Sequence, residues 1–231
     1  MKKLAVFAFT ISTLYSLAQT NEALQGAWGR THLENQQTLV FANGYWSFTE
    51  FNIENKQFIG TMGGSYSLSA AQFSSVKEYD TFSKADNRIN PLAGNVKMEA
   101  GELHIGVEKW ARIDDGSPGD LHGAWLITGR KRNGEMSTIT PGARKTMKIL
   151  SGTRFQWIAY NSETMQFMGT GGGTYTAQDG QYVENIEFFS RDNSRVGASL
   201  SFDYQLIDHA WHHSGKSSKG QPIHEIWSLR K

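Results

Sequence analysis

The chain predicts an all-β protein made of two tandem antiparallel up-and-down β-barrels. Three observations predict it: a duplicated sequence, apolar residues that alternate with period two, and turn signals at short intervals. Leu24-Gln25-Gly26-Ala27-Trp28 recurs as Leu121-His122-Gly123-Ala124-Trp125. Gln57-Phe58-Ile59-Gly60-Thr61-Met62-Gly63-Gly64-Ser65-Tyr66 recurs as Gln166-Phe167-Met168-Gly169-Thr170-Gly171-Gly172-Gly173-Thr174-Tyr175. Two segments that recur in the same order mean that one supersecondary plan was duplicated. The offset is 97 residues at the first segment and 109 at the second, so the second copy carries about twelve extra residues. Lys131 to Ala143, polar and turn-rich, reads as that insertion, a loop of the kind duplicated domains tolerate.

Taken in order, Met1-Lys2-Lys3 is a basic start, Leu4 to about Leu17 an apolar run, and Ser16-Leu17-Ala18 a small-x-small site. That is the layout of a secretory signal peptide over residues 1–18, with cleavage expected after Ala18. The mature protein is expected in the periplasm or outside the cell, without a lipid anchor because no cysteine follows the leader. Removing Lys2 and Lys3 takes the formal charge from +1 to −1, which gives no electrostatic reason for nucleic acid or an anionic membrane as partner. The absence of cysteine excludes disulfides and thiolate chemistry. No later stretch is long enough for a transmembrane helix.

The first copy runs from 24 to 113, and Asp114-Asp115-Gly116-Ser117-Pro118-Gly119-Asp120 has the composition of a linker, 114–120. The second copy, 121–231, shows the alternation most clearly. Phe155, Trp157 and Ala159 interleave with Arg154, Gln156 and Ile158, and the same period recurs around Tyr182 to Phe189 and Ala198 to Gln205. Asn43-Gly44, Asn87, Gly101, Ser151-Gly152, Asp179-Gly180, Asp192-Asn193, Ser214-Gly215 and Lys219-Gly220 supply tight turns. Eight strands are expected in the second copy: 121 to 131, 143 to 150, 153 to 161, 165 to 178, 181 to 190, 197 to 207, 208 to 214 and 222 to 230. Sequential antiparallel strands close most simply into an up-and-down barrel, which removes exposed edges. The first copy has shorter strands and is expected to be short or incomplete.

A Gly-x-Trp at the start of the first strand, seven further strands and an Arg near the end of the last resemble the lipocalin-like (calycin) domain found in exported bacterial proteins. The resemblance covers the second copy and the front half of the first. It implies that each Trp closes its barrel base with an Arg across the ring, assigning barrel closure to Gly26, Trp28 and Arg112 in one copy and Gly123, Trp125 and Arg230 in the other.

The glycine-rich strands lack the following helix and Lys-Ser/Thr of a phosphate loop, and they read instead as bends or close approaches. No serine sits in a Gly-x-Ser-x-Gly elbow. His209, His212, His213 and His224 gather late in the chain, but the extended spacing of His209 and His213, about 13 Å, does not suit one metal ion. No metal or cofactor is implied. The sharper grouping places Phe155, Trp157, Tyr175, Glu184, Phe202, Tyr204, Trp211 and His213 on one inward face, as an aromatic pocket with a carboxylate and an imidazole. Glu78 and Asp80 of the first copy lie among fewer aromatic residues, which makes that copy a support. The expected function is an exported small-molecule-binding module. The alternatives are an acid/base enzyme (lyase, isomerase or hydrolase) on a small carbohydrate or related metabolite, and an interaction protein of the cell envelope; no residue is assigned a catalytic role.

Overall fold

The computed structural model describes residues 21–69, 72–82, 92, 95–117, 119–132, 134–217 and 219–231. The expected leader 1–18 and the turn at Asn87 lie outside them. The protein is all-β. After a single turn of helix, Asn21–Leu24, the first copy forms β1 (Gly26–His32), β2 (Asn35–Ala42), β3 (Tyr45–Asn52), β4 (Gln57–Ser69), β5 (Gln72–Asp80), β6 (Val96–Glu99), β7 (Glu102–Ile105) and β8 (Glu108–Asp114). These make one curled antiparallel sheet in the order β5-β4-β3-β2-β1-β8-β7-β6. Among the described residues β5 and β6 do not pair, so this copy is a half-barrel.

The second copy forms β9 (Gly123–Arg132), β10 (Glu135–Thr138), β11 (Arg144–Leu150), β12 (Arg154–Asn161), β13 (Gln166–Gln178), β14 (Gln181–Phe189), β15 (Ser199–Ile207), β16 (Ala210–Lys216) and β17 (Pro222–Leu229). Pairing of β17 with β9 closes β9 and β11 to β17 into an eight-stranded antiparallel barrel. The insertion is no bare loop: it folds back as the β10 hairpin on β9, and Ile139 packs against the barrel core.

The duplicated glycines have a steric cause. β4 and β13 each carry a bulge, at Gly63/Gly64 and Gly172/Gly173. A Cβ on Gly64 would collide with the Val76 carbonyl, and one on Gly173 with that of Asn185.

Both tryptophans are buried and held in the same way. The Trp28 indole N–H donates to the Leu24 carbonyl at 3.0 Å and that of Trp125 to Leu121 at 2.9 Å. Arg112 lies over Trp28, 3.9 Å from the ring centroid, and donates to the carbonyls of Gln25 and Ala23. Arg230 corrects the expectation, for it does not cover Trp125. In the strand ladders Arg112 is opposite Trp28, whereas Leu229 is opposite Trp125. One residue further along, Arg230 faces the other side of the sheet. There it lies 4.0 Å from the Tyr45 ring centroid of the first copy and donates to both Glu78 oxygens, at 2.6 and 2.8 Å, and to the Tyr160 hydroxyl at 3.0 Å.

That outer side is where the copies meet. Ala27, Val40, Ala42 and Tyr79 pack against Ala124, Leu126, Met147, Ile149, Ile158 and Tyr160. The contact is nearly two-fold: β2 meets its counterpart β11, β3 meets β14 as β5 meets β12, and β4 meets β14 as β5 meets β13. At its centre the Gln156 amide donates to Thr61 and Thr170, both at 3.0 Å, and its oxygen accepts from Thr49 at 3.0 Å and from Ser47. The linker is pinned as well, since the Asp114 carboxylate accepts from the Ser151 and Thr153 hydroxyls at 2.8 and 2.6 Å.

Gln156→Leu strips this joint of its polar centre and leaves buried hydroxyls to find new partners. We expect a loss of about 2–4 kcal/mol in urea denaturation; a loss below about 0.5 kcal/mol would show that apolar packing alone holds the copies together.

Candidate ligand cavity

The site is built on alternation in β11. Arg144, Thr146 and Lys148 share its inward face, and Lys148 stands opposite Trp125 on β9 and Trp157 on β12. Only 4% of Lys148 is exposed. Its ammonium pairs with Glu184 at 2.8 Å, and the Tyr182 hydroxyl donates to the same carboxylate oxygen at 3.0 Å. Around it stand the rings of Trp211, Tyr182 and Trp227, with centroids at 4.8, 4.9 and 5.3 Å. A desolvated cation over aromatic faces gains about 2 kcal/mol, which offsets part of the cost of burial.

A second charged group lies beside the first. Glu225 is opposite Arg130 across β9–β17 and opposite His213 across β16–β17. It accepts from Arg130 at 2.6 Å, and His213 Nδ1 stands 3.6 Å away, too far for a good hydrogen bond. Burial pushes the Glu225 carboxyl up, but His213, Lys148 and Arg130 outweigh it and hold it at about 2. Burial and then the Lys148 charge lower the His213 imidazole below its ordinary value of 6.5, so the ring is neutral at pH 7. Both of its ring nitrogens and the Trp227 N–H are buried and have no hydrogen-bond partner among the described residues.

Lys148, Glu184, Trp227, His213, Glu225 and Arg130 line a cavity of about 560 Å³ that opens at the strand ends remote from Trp125, with Lys148 deep in it and Arg130 toward the mouth. Of the eight residues expected there, Trp157, Glu184, Phe202 and His213 line it. Phe155, Tyr175, Tyr204 and Trp211 do not. They belong to the barrel core, where Phe155 is opposite Gly173 and Leu150 near the closed end and the Tyr175 hydroxyl donates to the Ser151 carbonyl at 2.6 Å. Sequence reasoning missed Lys148, Arg130, Glu225 and Trp227. Of the late histidines only His213 enters the barrel. His212 and His224 form an edge-on ring pair 5.9 Å apart, and His209 is exposed at a turn. Among the described residues no three metal-ligating side chains come together.

Superposing the two ladders on their shared glycines gives the signal that would have found the site. The counterpart of Lys148 is Leu39, that of Glu184 is Ser75, and that of His213 is Ile105. Leu39 and Ile105 are fully buried in the apolar core of the first copy.

Two predictions follow from the ion pair and the neutral imidazole. Lys148→Leu alone leaves Glu184 buried without its cation and costs about 3–5 kcal/mol in urea denaturation, whereas Lys148→Leu with Glu184→Ser, the residues of the first copy, recovers most of it. His213 and Glu225 both have folded-state pKa values below their unfolded ones. The unfolded chain therefore binds more protons, and stability falls with pH, first below about 6.5 for His213 and then from about 4.5 towards about 2 for Glu225. His122 and His224, both lowered chiefly by burial, act in the upper window too. His213→Phe is expected to flatten the loss of stability between pH 7 and pH 5, leaving the share of His122 and His224; an unchanged slope would refute a buried neutral His213.

Residues 120–229 match the family model described as a domain of unknown function (DUF4488), a span that takes in β9 to β17. No curated protein matches the chain. The chain is thus similar to that family over its closed barrel.

Proposed function

We propose that the second barrel is the small-molecule-binding module of an exported protein and that the half-barrel supports it. One observation carries this reading: the interior positions that are apolar or small in the first copy hold Lys148, Glu184 and His213 in the second, beside a cavity of about 560 Å³. That volume lies in the range of small-molecule sites, and Trp157, Phe189, Leu200, Phe202 and Trp227 give it an apolar wall of the kind such sites use, set among charged residues. The unpartnered nitrogens of His213 and Trp227 are groups for which a bound molecule or its ordered water supplies a partner. The Gly-x-Trp start and the eight closing strands support the lipocalin-like reading, and Lys2-Lys3 with the following apolar run supports export. No helix among the described residues is long and apolar enough to cross a membrane.

Acid/base catalysis is the second reading, favoured by one fact: Glu184 and His213 line the same cavity. Against it, Glu184 already accepts from Lys148 and Tyr182. A base whose lone pairs are engaged is poorly placed to take a substrate proton.

The uncharged fluorophore N-phenyl-1-naphthylamine tests the cavity. It is expected to bind one per chain with a rise in emission, and Leu200→Trp, which fills the cavity from β15, is expected to weaken it at least tenfold while the urea midpoint stays within about 1 kcal/mol of wild type. Binding that ignores Leu200→Trp would place the probe elsewhere and refute the reading.

A further inference from the structure

We infer that the ligand is an organic anion that enters with its apolar body first and leaves its acidic group at the rim, among Lys131, Arg144 and Arg191. This rests on the cavity reading above and adds the charge and orientation of the occupant.

The argument is a comparison of floor and rim. At the floor the Lys148 charge is matched by Glu184 at 2.8 Å, and higher on the wall Arg130 is matched by Glu225 at 2.6 Å, with the neutral His213 beside Glu225. An acidic group placed there would be desolvated beside two carboxylates, which costs more than the remaining attraction returns.

Nearest the mouth three cations stand unmatched. Lys131 lies at the end of β9, Arg144 begins β11 and Arg191 follows β14, all at the open end. Among the described residues none of the three has a carboxylate within 4.0 Å, and the cavity lining holds no acid other than Glu184 and Glu225. Arg191 is held in place by donating to the Met168 carbonyl at 2.9 Å. Arg144 is on the same face of β11 as Lys148, four residues and about 13 Å nearer the mouth. Between rim and floor the wall is apolar, with Trp157, Phe189, Leu200 and Phe202 among its residues. A carboxylate or sulfonate on a ring-sized apolar body satisfies all three levels at once. Its charge stays partly hydrated, meets guanidinium and ammonium donors, and carries the body past the aromatic wall.

The test pairs two probes of one skeleton: 8-anilinonaphthalene-1-sulfonate, which is anionic, and N-phenyl-1-naphthylamine, which is not. In wild-type protein the sulfonate is expected to bind about tenfold more tightly, with an affinity that falls as salt is raised. Lys131→Gln with Arg144→Gln is expected to remove that advantage and leave the uncharged probe unchanged, and because both residues sit at the solvent-open rim the urea midpoint should not move. Equal binding of the two probes, unaltered by the double variant, would overturn the inference while leaving the cavity reading intact. Binding of neither would overturn both. Sulfonate binding that survives Leu200→Trp would mean an outer-surface site and would overturn the inference as well.

Discussion

The burial of two outer sheet faces against each other is the constraint on which the rest of the molecule depends. A barrel strand ordinarily presents one face to its core and one to water. Here Val40 and Ala42 on β2, and Met147 and Ile149 on β11, are apolar on the outer side too. Neither copy can leave that face in water, so the half-barrel and the barrel are held as one body with three cores. The near-two-fold pairing of the strands is the geometry of an isologous dimer whose partners have been joined in one chain. Apolar packing would let such sheets slide, whereas Gln156, bonded to hydroxyls of both copies, fixes one register. Arg230 then ties the last strand to Glu78 across the same joint.

Burial of both faces also decides what could be read from the sequence. Repeated segments gave the duplication, alternation gave the strands, and in the second copy every expected strand is present, with ends displaced by a few residues. Alternation tells inside from outside only when one side is polar. In β11 Met147 and Ile149 face one way and Lys148 and Leu150 the other, all four buried, so the inward face, which carries Arg144, Thr146 and Lys148, reads as the solvent side. The same ambiguity misplaced Arg230 by one residue, and with it the expected cover on Trp125. For the pocket, parity correctly set Phe155, Tyr175 and Trp211 inside but carried no depth along the barrel axis. Depth comes from the stagger of the strands, which no single strand records. The insertion was legible as extra residues and not as a hairpin, because its four β10 residues are all exposed and show no alternation.

Because the chain contains its plan twice, it also contains its own comparison for the site. The half-barrel fills its interior with Leu39, Phe48, Met62 and Trp110, with Ile105 where the barrel has His213. Packing of that kind needs no buried lysine at the position of Leu39, and it goes with the same Gly-x-Trp start and the same bulged glycine strand. The ion pair of Lys148 and Glu184 is therefore not a requirement of the plan. Buried ion pairs generally add little over apolar residues of similar volume, and a cavity beside them forfeits packing contacts.

Stability thus gives no account of why the second copy has Lys148, Glu184 and His213 where the first has Leu39, Ser75 and Ile105, whereas recognition does. A charge-balanced inner wall keeps its shape without a ligand, because each of these ions already has its partner and each partner is set by the ladder: Glu225 opposite both Arg130 and His213, Glu184 two residues from Tyr182 on one face. Nothing there need reorganise when a molecule enters, and binding then spends little of its free energy on ordering the wall. The rim is built the opposite way, from long, exposed side chains without acidic partners, and it is there that the net charge of the cavity is available to an incoming group. The division of labour follows from dielectric: charges that must hold shape are paired where water is absent, and charges that meet a ligand stand where water keeps them inexpensive to expose.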